Sequence, residues 1–466
     1  MYDLVVIGSG PGGYVAAIKA AQMGMDVACV EKYDDFGGTC LNVGCIPSKA
    51  LLEASHKYEE AREDLGDLGI EIDGVSLDLD KMQAHREKSV KSGTNGVKFL
   101  FDKYGVDGLH GHATIQDANT VDIEGGDTLE TDKILIATGS KPASLPGIDF
   151  DDEHIVDSTW ALEFDEVPDD FIVIGGGYIG LEMGSVWNRL GSNVTVLEFL
   201  PRILAGFTDE DVADEAQKLF GKQGLNFELE VEVTDAEVID GDDGKRVRVT
   251  YTDRDSGDEE TVEADKVLVS VGRTPFTEGL GLENIDLETD DKGFLDVDHN
   301  FETDVEGVYA IGDVTGDPML AHKAEDEGVV AVERMNGVTS HINYDAIPGV
   351  VYTHPEIAAV GASEADLEDE GVDYERGEFS FRANGRARAM NDLDGFAKIL
   401  TDAETDKILG AQIIGPRAGD LISELVVAME FHGSSEDVAR SSHAHPSLSE
   451  VVKEAALDAH GDPLNS

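Results

Sequence analysis

Two stretches of the chain carry the same order of apolar and polar positions. Asp3 to Glu31 can be laid on Asp170 to Glu198 at a constant offset of 167 residues without a gap. Each copy opens with an apolar run of strand length, Leu4-Val5-Val6-Ile7 in the first and Phe171-Ile172-Val173-Ile174 in the second. A glycine-rich turn and a helix-like stretch follow, and a second apolar run ends in an acid 23 residues after the first glycine, Glu31 in one copy and Glu198 in the other. Strand, turn, helix and strand in that order predict a βαβ unit, and two such units predict an α/β fold. The apolar runs, Ile134 to Ala137 among them, fall far below the ~18 residues that a membrane-spanning helix requires.

The turns give the repeat its chemistry. Gly8, Gly10 and Gly13 stand at the spacing G-x-G-x-x-G and fall on Gly175, Gly177 and Gly180. Glycines at these positions permit a tight turn and let the backbone approach a pyrophosphate, which then sits at the positive end of the following helix. The terminal acid accepts hydrogen bonds from ribose hydroxyls, so Glu31 and Glu198 are the expected ribose ligands. Two nucleotides are therefore expected in one chain. A carboxylate at Glu198 repels a 2′-phosphate, which favours NAD over NADP in the second site. Arg202, four residues on, is read as a solvated residue.

Composition narrows the class. The chain has 466 residues, 41% of them apolar, with 52 glycines, and 97 Asp+Glu against 35 Lys+Arg leave a net charge of −62. That is material for several globular domains rather than for a disordered acidic tail. Nucleic acid is excluded as a partner, because phosphate binding needs clustered Lys and Arg. Acids recur throughout, as in Asp151 to Glu153, Asp253 to Glu260 and Glu364 to Glu370, which points to a whole surface adapted to concentrated salt. At molar salt the screening length falls to ~3 Å and self-repulsion largely disappears, so a halophilic owner is expected. Met1-Tyr2-Asp3 leads straight into Leu4 without the basic start of a secretion signal, and three cysteines cannot make a disulfide scaffold. A soluble protein of a reducing, cytoplasmic compartment is expected.

Cys29 aligns with Val196 inside the second apolar run, and is read as a small buried hydrophobe. Cys40 and Cys45 differ. They lie in Gly37-Gly38-Thr39-Cys40-Leu41-Asn42-Val43-Gly44-Cys45-Ile46-Pro47-Ser48-Lys49, at the start of an expected helix. A helix N-terminus and a nearby lysine both favour thiolate, the reactive form. The spacing lets the sulfurs meet in a small reversible ring. Zinc is the other reading of close cysteines, and no second Cys/His pair at ligand spacing accompanies them.

The run G-G-T-C-L-N-V-G-C-I-P-S-K, together with the two nucleotide turns, resembles the pyridine nucleotide-disulfide oxidoreductases of the glutathione reductase and dihydrolipoamide dehydrogenase type, over essentially the whole chain. The resemblance implies a homodimeric flavoprotein with FAD in the first site, NAD(P) in the second and a redox-active Cys40–Cys45 disulfide stacked on the flavin. Thr131 to Gly139 is similar to the family's hinge strand, and Val305 to Val314 to its second FAD motif. There Asp313 would hold the ribityl chain, Gly312 would admit the backbone and Ala321 would lie near the flavin ring. Lys49 would sit by the flavin with Glu182 as its ion-pair partner near the nicotinamide, and Gly139 and Gly272 would line the cofactor sites. The implied architecture is two Rossmann-like dinucleotide-binding domains and a C-terminal α+β dimerisation domain. Its expected bounds are 1–149 for FAD, 150–271 for NAD, 272–344 returning to the FAD domain and 345–466 for the interface.

Ser442-His443-Ala444-His445-Pro446-Ser447-Leu448-Ser449-Glu450 looks like the family's C-terminal H-x-H-P-[ST]-x-S-E signature. Pro446 suits the first turn of a helix, with His445 just outside and Glu450 one turn in, where the carboxylate can orient the imidazole. His445 would then take a thiol proton at the partner subunit's disulfide, making the dimer obligatory. His443 shows no acid partner in the sequence, and His322 and His354 show no metal-ligand grouping; no metal is expected. Gly184 to Gly191, the acid at Glu198 and H-A-H-P resemble the dihydrolipoamide branch, with dihydrolipoamide or a lipoyl domain as substrate and a 2-oxoacid dehydrogenase complex as a possible partner. The mercuric reductase pattern, with its terminal cysteine pair, is disfavoured because no cysteine follows Cys45. Tyr178, where glutathione reductases often carry a gating tyrosine, keeps open an NAD(P)H-dependent reductase of another small disulfide. A flavin-binding subunit without chemistry would not need Cys40, Cys45 and His445 together.

Overall fold

A computed structural model describes the chain from Met1 to Asn465 apart from Asp64, Asp242, Asp243 and Asp462, with the backbone alone at Asp67. Leu4–Ile7, all four residues buried, is the middle strand of a five-stranded parallel sheet. The order across it is Val308–Ala310, Ile134–Ile136, Leu4–Ile7, Val27–Glu31, Asp107–His110. Because successive side chains of a strand face opposite ways, Leu4 and Val6 enter one core and Val5 and Ile7 the other. The apolar run therefore reads as unbroken, as a strand covered on both faces must.

The second copy builds the same object. Asp170–Ile174 is the middle strand of another parallel sheet, ordered Asn226–Glu228, Asn193–Leu197, Asp170–Ile174, Lys266–Val269, Ile155–Val156. Leu4 pairs with Val27 in the first sheet and Phe171 with Val194 in the second, so the offset of 167 holds in the register as well as in the sequence. A third, antiparallel sheet is ordered Gly349–Val351, Glu356–Gly361, Ile408–Gly415, Phe396–Asp402, Tyr374–Ser380. Helix Glu450–Ala459 lies so close on it that a side chain at Gly377 would run into the Ala455 carbonyl. The fold is α/β, two Rossmann-like halves with a C-terminal α+β domain.

The chain divides into two compact units. One comprises 1–51, 78–143 and 272–342, the other 52–77, 144–271 and 343–466. Among the described residues, no helix is long and apolar enough to cross a membrane, and the only buried acids are Glu31, Glu182, Asp209, Glu327 and Glu454. The great excess of carboxylates thus lies outward, and each of the five exceptions calls for a partner.

Candidate active site

In the first unit, Gly8 takes φ +98°, a left-handed conformation that a side chain would strain, and a Cβ there would also run into the Ala137 carbonyl. Gly13 lies so close to Gly8 that no side chain fits between helix and strand. Gly10 precedes helix Pro11–Gln22 without a side-chain cap, and the first turn holds no acid. The helix start is left free for an anion. Glu31, at the end of Val27–Glu31 and buried, accepts the Ser9 N–H at 3.0 Å and the Ser9 hydroxyl at 2.6 Å, while its other oxygen takes the Tyr33 N–H at 3.1 Å. The carboxylate therefore stands over the glycine turn.

The other end of this cradle is built from distant segments. Gly312 opens a short turn after Val308–Ala310 with φ +77°, and its N–H donates to the Glu327 carboxylate at 2.7 Å. Glu327 is ion-paired with buried Lys323 at 3.2 Å, one turn back on helix Ala321–Met335. Asp313 accepts a short hydrogen bond from the Ser140 hydroxyl, which in turn accepts from Arg273 Nε at 2.7 Å. Gly139 precedes Ser140 with φ +70°, and the Gly272 carbonyl accepts the Ala143 N–H at 3.0 Å. The i, i+4 spacing of Lys323 and Glu327 was a legible sign of a helical pair. Ser140 and Arg273 carried none, because their neighbours come from far along the chain.

Cys40 lies in the short helix Gly38–Val43, and Cys45 opens helix Cys45–Glu63. The two form a disulfide, the small ring that their spacing allows. The N-terminus of a 19-residue helix carries partial positive charge, which stabilises a thiolate at Cys45 on reduction. Lys49 follows four residues later, on the same helix face. Cys29 is fully buried in the Val27–Glu31 strand, and burial, with Glu31 adding to it, pushes its thiol well up.

The second unit repeats the cradle. Gly175 takes φ +109°, and a side chain at Gly180 would run into the Gly175 carbonyl. Gly177 precedes helix Tyr178–Leu190, again without a side-chain cap. Glu198 accepts the Gly176 N–H at 2.5 Å and the Leu200 N–H at 2.7 Å. Glu182 is 3% exposed and accepts the Tyr352 N–H at 3.0 Å, so it is not a surface helix residue. Tyr178 opens the helix and is half-buried.

His445 Nδ1 donates to Glu450 at 2.8 Å, and the second carboxylate oxygen of Glu450 accepts the Ser447 N–H at 2.9 Å. Burial alone would raise the Glu450 carboxyl; the Ser447 N–H and the His445 ring outweigh it and hold it below the usual range. The His445 side chain is 78% exposed, leaving its other nitrogen free to meet a substrate. Two expectations need correction here. The helix begins at Glu450, not at Pro446: Ser447 to Ser449 form a turn ahead of it, within which the Ser447 N–H donates to the Glu450 carboxylate as in one half of a capping box. His443 does have an acid partner: Glu424, on helix Ala418–Glu430, lies 2.6 Å from its Nε2.

The family described as pyridine nucleotide-disulphide oxidoreductase matches residues 2–328, and the dimerisation domain of the same family matches residues 347–456. The mitochondrial dihydrolipoyl dehydrogenase of Dictyostelium discoideum is 51% identical over 468 residues, which covers 99% of this chain and 95% of that protein. The dihydrolipoyl dehydrogenase of Cupriavidus necator is 51% identical over 476 residues, covering 100% and 99%. Among solved structures, LpdA from Mycobacterium tuberculosis matches with a TM-score of 0.88 at 29% identity, over 97% of this chain and 98% of that one. Matches that run through both parts of the chain, and half-identical relatives along its whole length, leave one assignment: the chain belongs to the pyridine nucleotide-disulphide oxidoreductases.

Proposed function

We propose that the protein oxidises dihydrolipoamide, or the dihydrolipoyl group of a lipoyl domain, with NAD as acceptor. The observation that carries this reading is the Cys40–Cys45 disulfide at the head of a long helix, in a chain half-identical over its length to dihydrolipoyl dehydrogenases. The bare helix start at Gly10, the buried Glu31 and the Gly312–Asp313 turn suit FAD, and Gly177 with Glu198 suits NAD. We assign 1–149 and 272–344 to FAD binding, with Gly8, Gly10, Gly13, Gly139, Gly312, Asp313 and Ala321 in the site. Residues 150–271 take NAD at Gly175, Gly177, Gly180, Glu182 and Glu198, with Gly272 at the domain's end. Residues 345–466 form the interface of a homodimer, a role that the exposed Val427 and Phe431 at the end of helix Ala418–Glu430 suit.

In the proposed chemistry, His445 of one subunit, oriented by Glu450, takes a proton from a substrate thiol at the disulfide of the other. The thiolate attacks Cys40, the Sγ–Sγ bond breaks and its electron pair leaves on Cys45. The second substrate thiol displaces Cys40 from the mixed disulfide, so the substrate departs as a cyclic disulfide and both cysteines are reduced. Lys49 and the helix N-terminus favour Cys45 as the thiolate. The two-electron transfer between this thiolate and the nicotinamide is the chemistry that bound FAD supplies.

The charge of −62 and the outward placement of nearly all carboxylates support work in a cytoplasm of concentrated salt. The deciding experiment is the initial rate of NAD reduction by dihydrolipoamide in multimolar KCl, with NADP in parallel and Cys45→Ser as control. Turnover should prefer NAD and vanish in Cys45→Ser with its flavin retained. Absence of turnover in the flavin-loaded dimer, with NAD(P)H oxidised by another small disulfide instead, would overturn the reading and return weight to Tyr178 as a gate.

A further inference from the structure

In a chain with 97 acids and 35 Lys+Arg, one lysine is wholly withdrawn from the surface. The Lys398 side chain, on strand Phe396–Asp402, is 0% exposed. Its ammonium lies 2.7 Å from Asp209, 2.7 Å from Asp211 and 3.1 Å from Glu364. The three carboxylates offer oxygens within 4.8 Å of one another, the spacing of a metal cage, and Lys398 stands among them as the resident cation. Arg376 approaches from outside, 2.7 Å from Asp211 and 3.6 Å from Glu364. Without Lys398, Asp211 and Glu364 would be left with a guanidinium that also pairs with Glu378 at 2.5 Å, and buried Asp209 would lose its ammonium; buried charge left without its partner drives rearrangement.

What the cluster holds gives it a purpose. Asp209 stands at the N-cap position of helix Glu210–Lys222, its carboxylate turned to other partners. Its N–H donates to Gln412 at 2.9 Å, and its carboxylate also accepts the Glu364 N–H at 2.9 Å. Gln412 is the cross-strand partner of Lys398, so one face of the antiparallel sheet grips Asp209 twice. Just before Asp209 the chain is tightly turned, with the N–H groups of Phe207 and Thr208 donating to the Leu204 carbonyl at 2.9 and 3.3 Å. The Leu204 N–H donates to the Gly176 carbonyl at 3.0 Å, and the Gly176 N–H donates to Glu198 at 2.5 Å. Leu204 and Ile203 are buried, and Ile203 packs against Gly176. A continuous run of contacts therefore leads from Lys398 through Asp209 and Leu204 to the glycine turn and its acid.

We propose that Lys398 is a positioning residue for the second nucleotide site, holding the Leu204–Asp209 segment against Gly176 and so keeping Glu198 and the glycine turn in the geometry that binds NAD. This rests on the assignment of NAD to Gly175–Glu198. Lys398 touches neither the nucleotide nor the thiols, so its loss weakens one half of the reaction only.

The test uses full-length, flavin-loaded protein in concentrated KCl, with Lys398→Met and the milder Asp211→Asn. Three quantities are read: NADH affinity by calorimetry, the KM for NAD against kcat, and the rate at which dihydrolipoamide reduces the bound flavin without NAD. In Lys398→Met the Kd for NADH and the KM for NAD should rise roughly 2- to 30-fold, the range through which residues touching neither ligand alter coupling. Flavin reduction and kcat at saturating NAD should stay within about twofold, a split that general loosening would not produce; Asp211→Asn should show the same split, smaller. Unchanged NADH affinity in a folded Lys398→Met, or an equal fall in flavin reduction, overturns the proposal. Should Lys398→Met fail to fold, unchanged NADH affinity in Asp211→Asn overturns it instead. Failure of the NAD assignment itself would show separately, as absence of NADH binding to the unaltered protein.

Discussion

A single side chain in this protein is given its chemistry by what a neighbour does to it. Glu450 divides its carboxylate between the Ser447 N–H and the His445 ring, which fixes which imidazole nitrogen is occupied and which is presented. The sequence announced this pair through its five-residue spacing. It was silent on Glu424 beside His443, because 19 residues of chain and a helix lie between them. Cys29 makes the complementary point: alignment with Val196 marked it as inert, and its burial raises the thiol beyond reach of neutral pH. The prediction at this scale concerns the base. His445→Gln should slow dihydrolipoamide oxidation by roughly 10²-fold or more, the usual worth of a positioned general base, with flavin content and NADH binding unchanged; rates near those of the unaltered protein would remove His445 from the mechanism.

At the scale of elements, the two βαβ units are the same device with different tasks. Both begin with a left-handed glycine and pack helix on strand through a glycine that admits no side chain. That economy makes them separable by a single methyl group. Gly13→Ala should yield protein that lacks flavin. Gly180→Ala should keep its flavin and its reduction by dithiol while NADH affinity falls more than about tenfold, equivalent to ~1.4 kcal/mol. Flavin content and NADH titration of the two variants decide the matter, and loss of both cofactors from either would contradict separate cradles. Helix boundaries were less legible. Pro446 suits a first helical turn by its own conformation, and the Ser447–Glu450 contact is a capping-box signal, yet helix Glu450–Ala459 starts later than either suggests.

The molecule as a whole is governed by its charge. At 0.1 M salt the screening length is ~10 Å, so carboxylates of a surface this crowded repel one another; at molar salt it is ~3 Å and they do not. Repulsion in the compact state makes proton uptake more favourable there than in the unfolded chain, so stability in dilute buffer rises as pH falls from 7 toward 5. A second set of groups works the other way. The Arg246 guanidinium holds Asp170 below its ordinary 3.8, and the Ser363 and Thr405 hydrogen bonds do the same for Asp366 and Asp402. A depressed carboxyl contributes stability above the ordinary value that is lost as pH falls through the depressed one. Melting temperature in dilute buffer should therefore peak on the acid side of neutrality and collapse below about pH 4, whereas in multimolar KCl the gain between pH 7 and 5 should vanish. Equal slopes in both solvents, followed by circular dichroism, would show that self-repulsion is not the controlling term.

Local pattern by itself determined the strands and turns of both nucleotide cradles, the reactive pair Cys40 and Cys45 and the pairing of His445 with Glu450. In each, the residues that act together are close in sequence; glycine opens backbone conformations closed to other residues, and proline fixes its own φ. Tertiary structure alone decided the rest. Asp313 meets Ser140 across 173 residues, Glu182 is buried because Tyr352 reaches it from 170 residues away, and Lys398 is enclosed by acids from two other segments. Such contacts leave no periodicity to read, since a buried charge is stabilised by whatever partner the fold delivers, and a carboxylate in a chain this acidic looks the same in sequence whether it faces salt water or a buried cation.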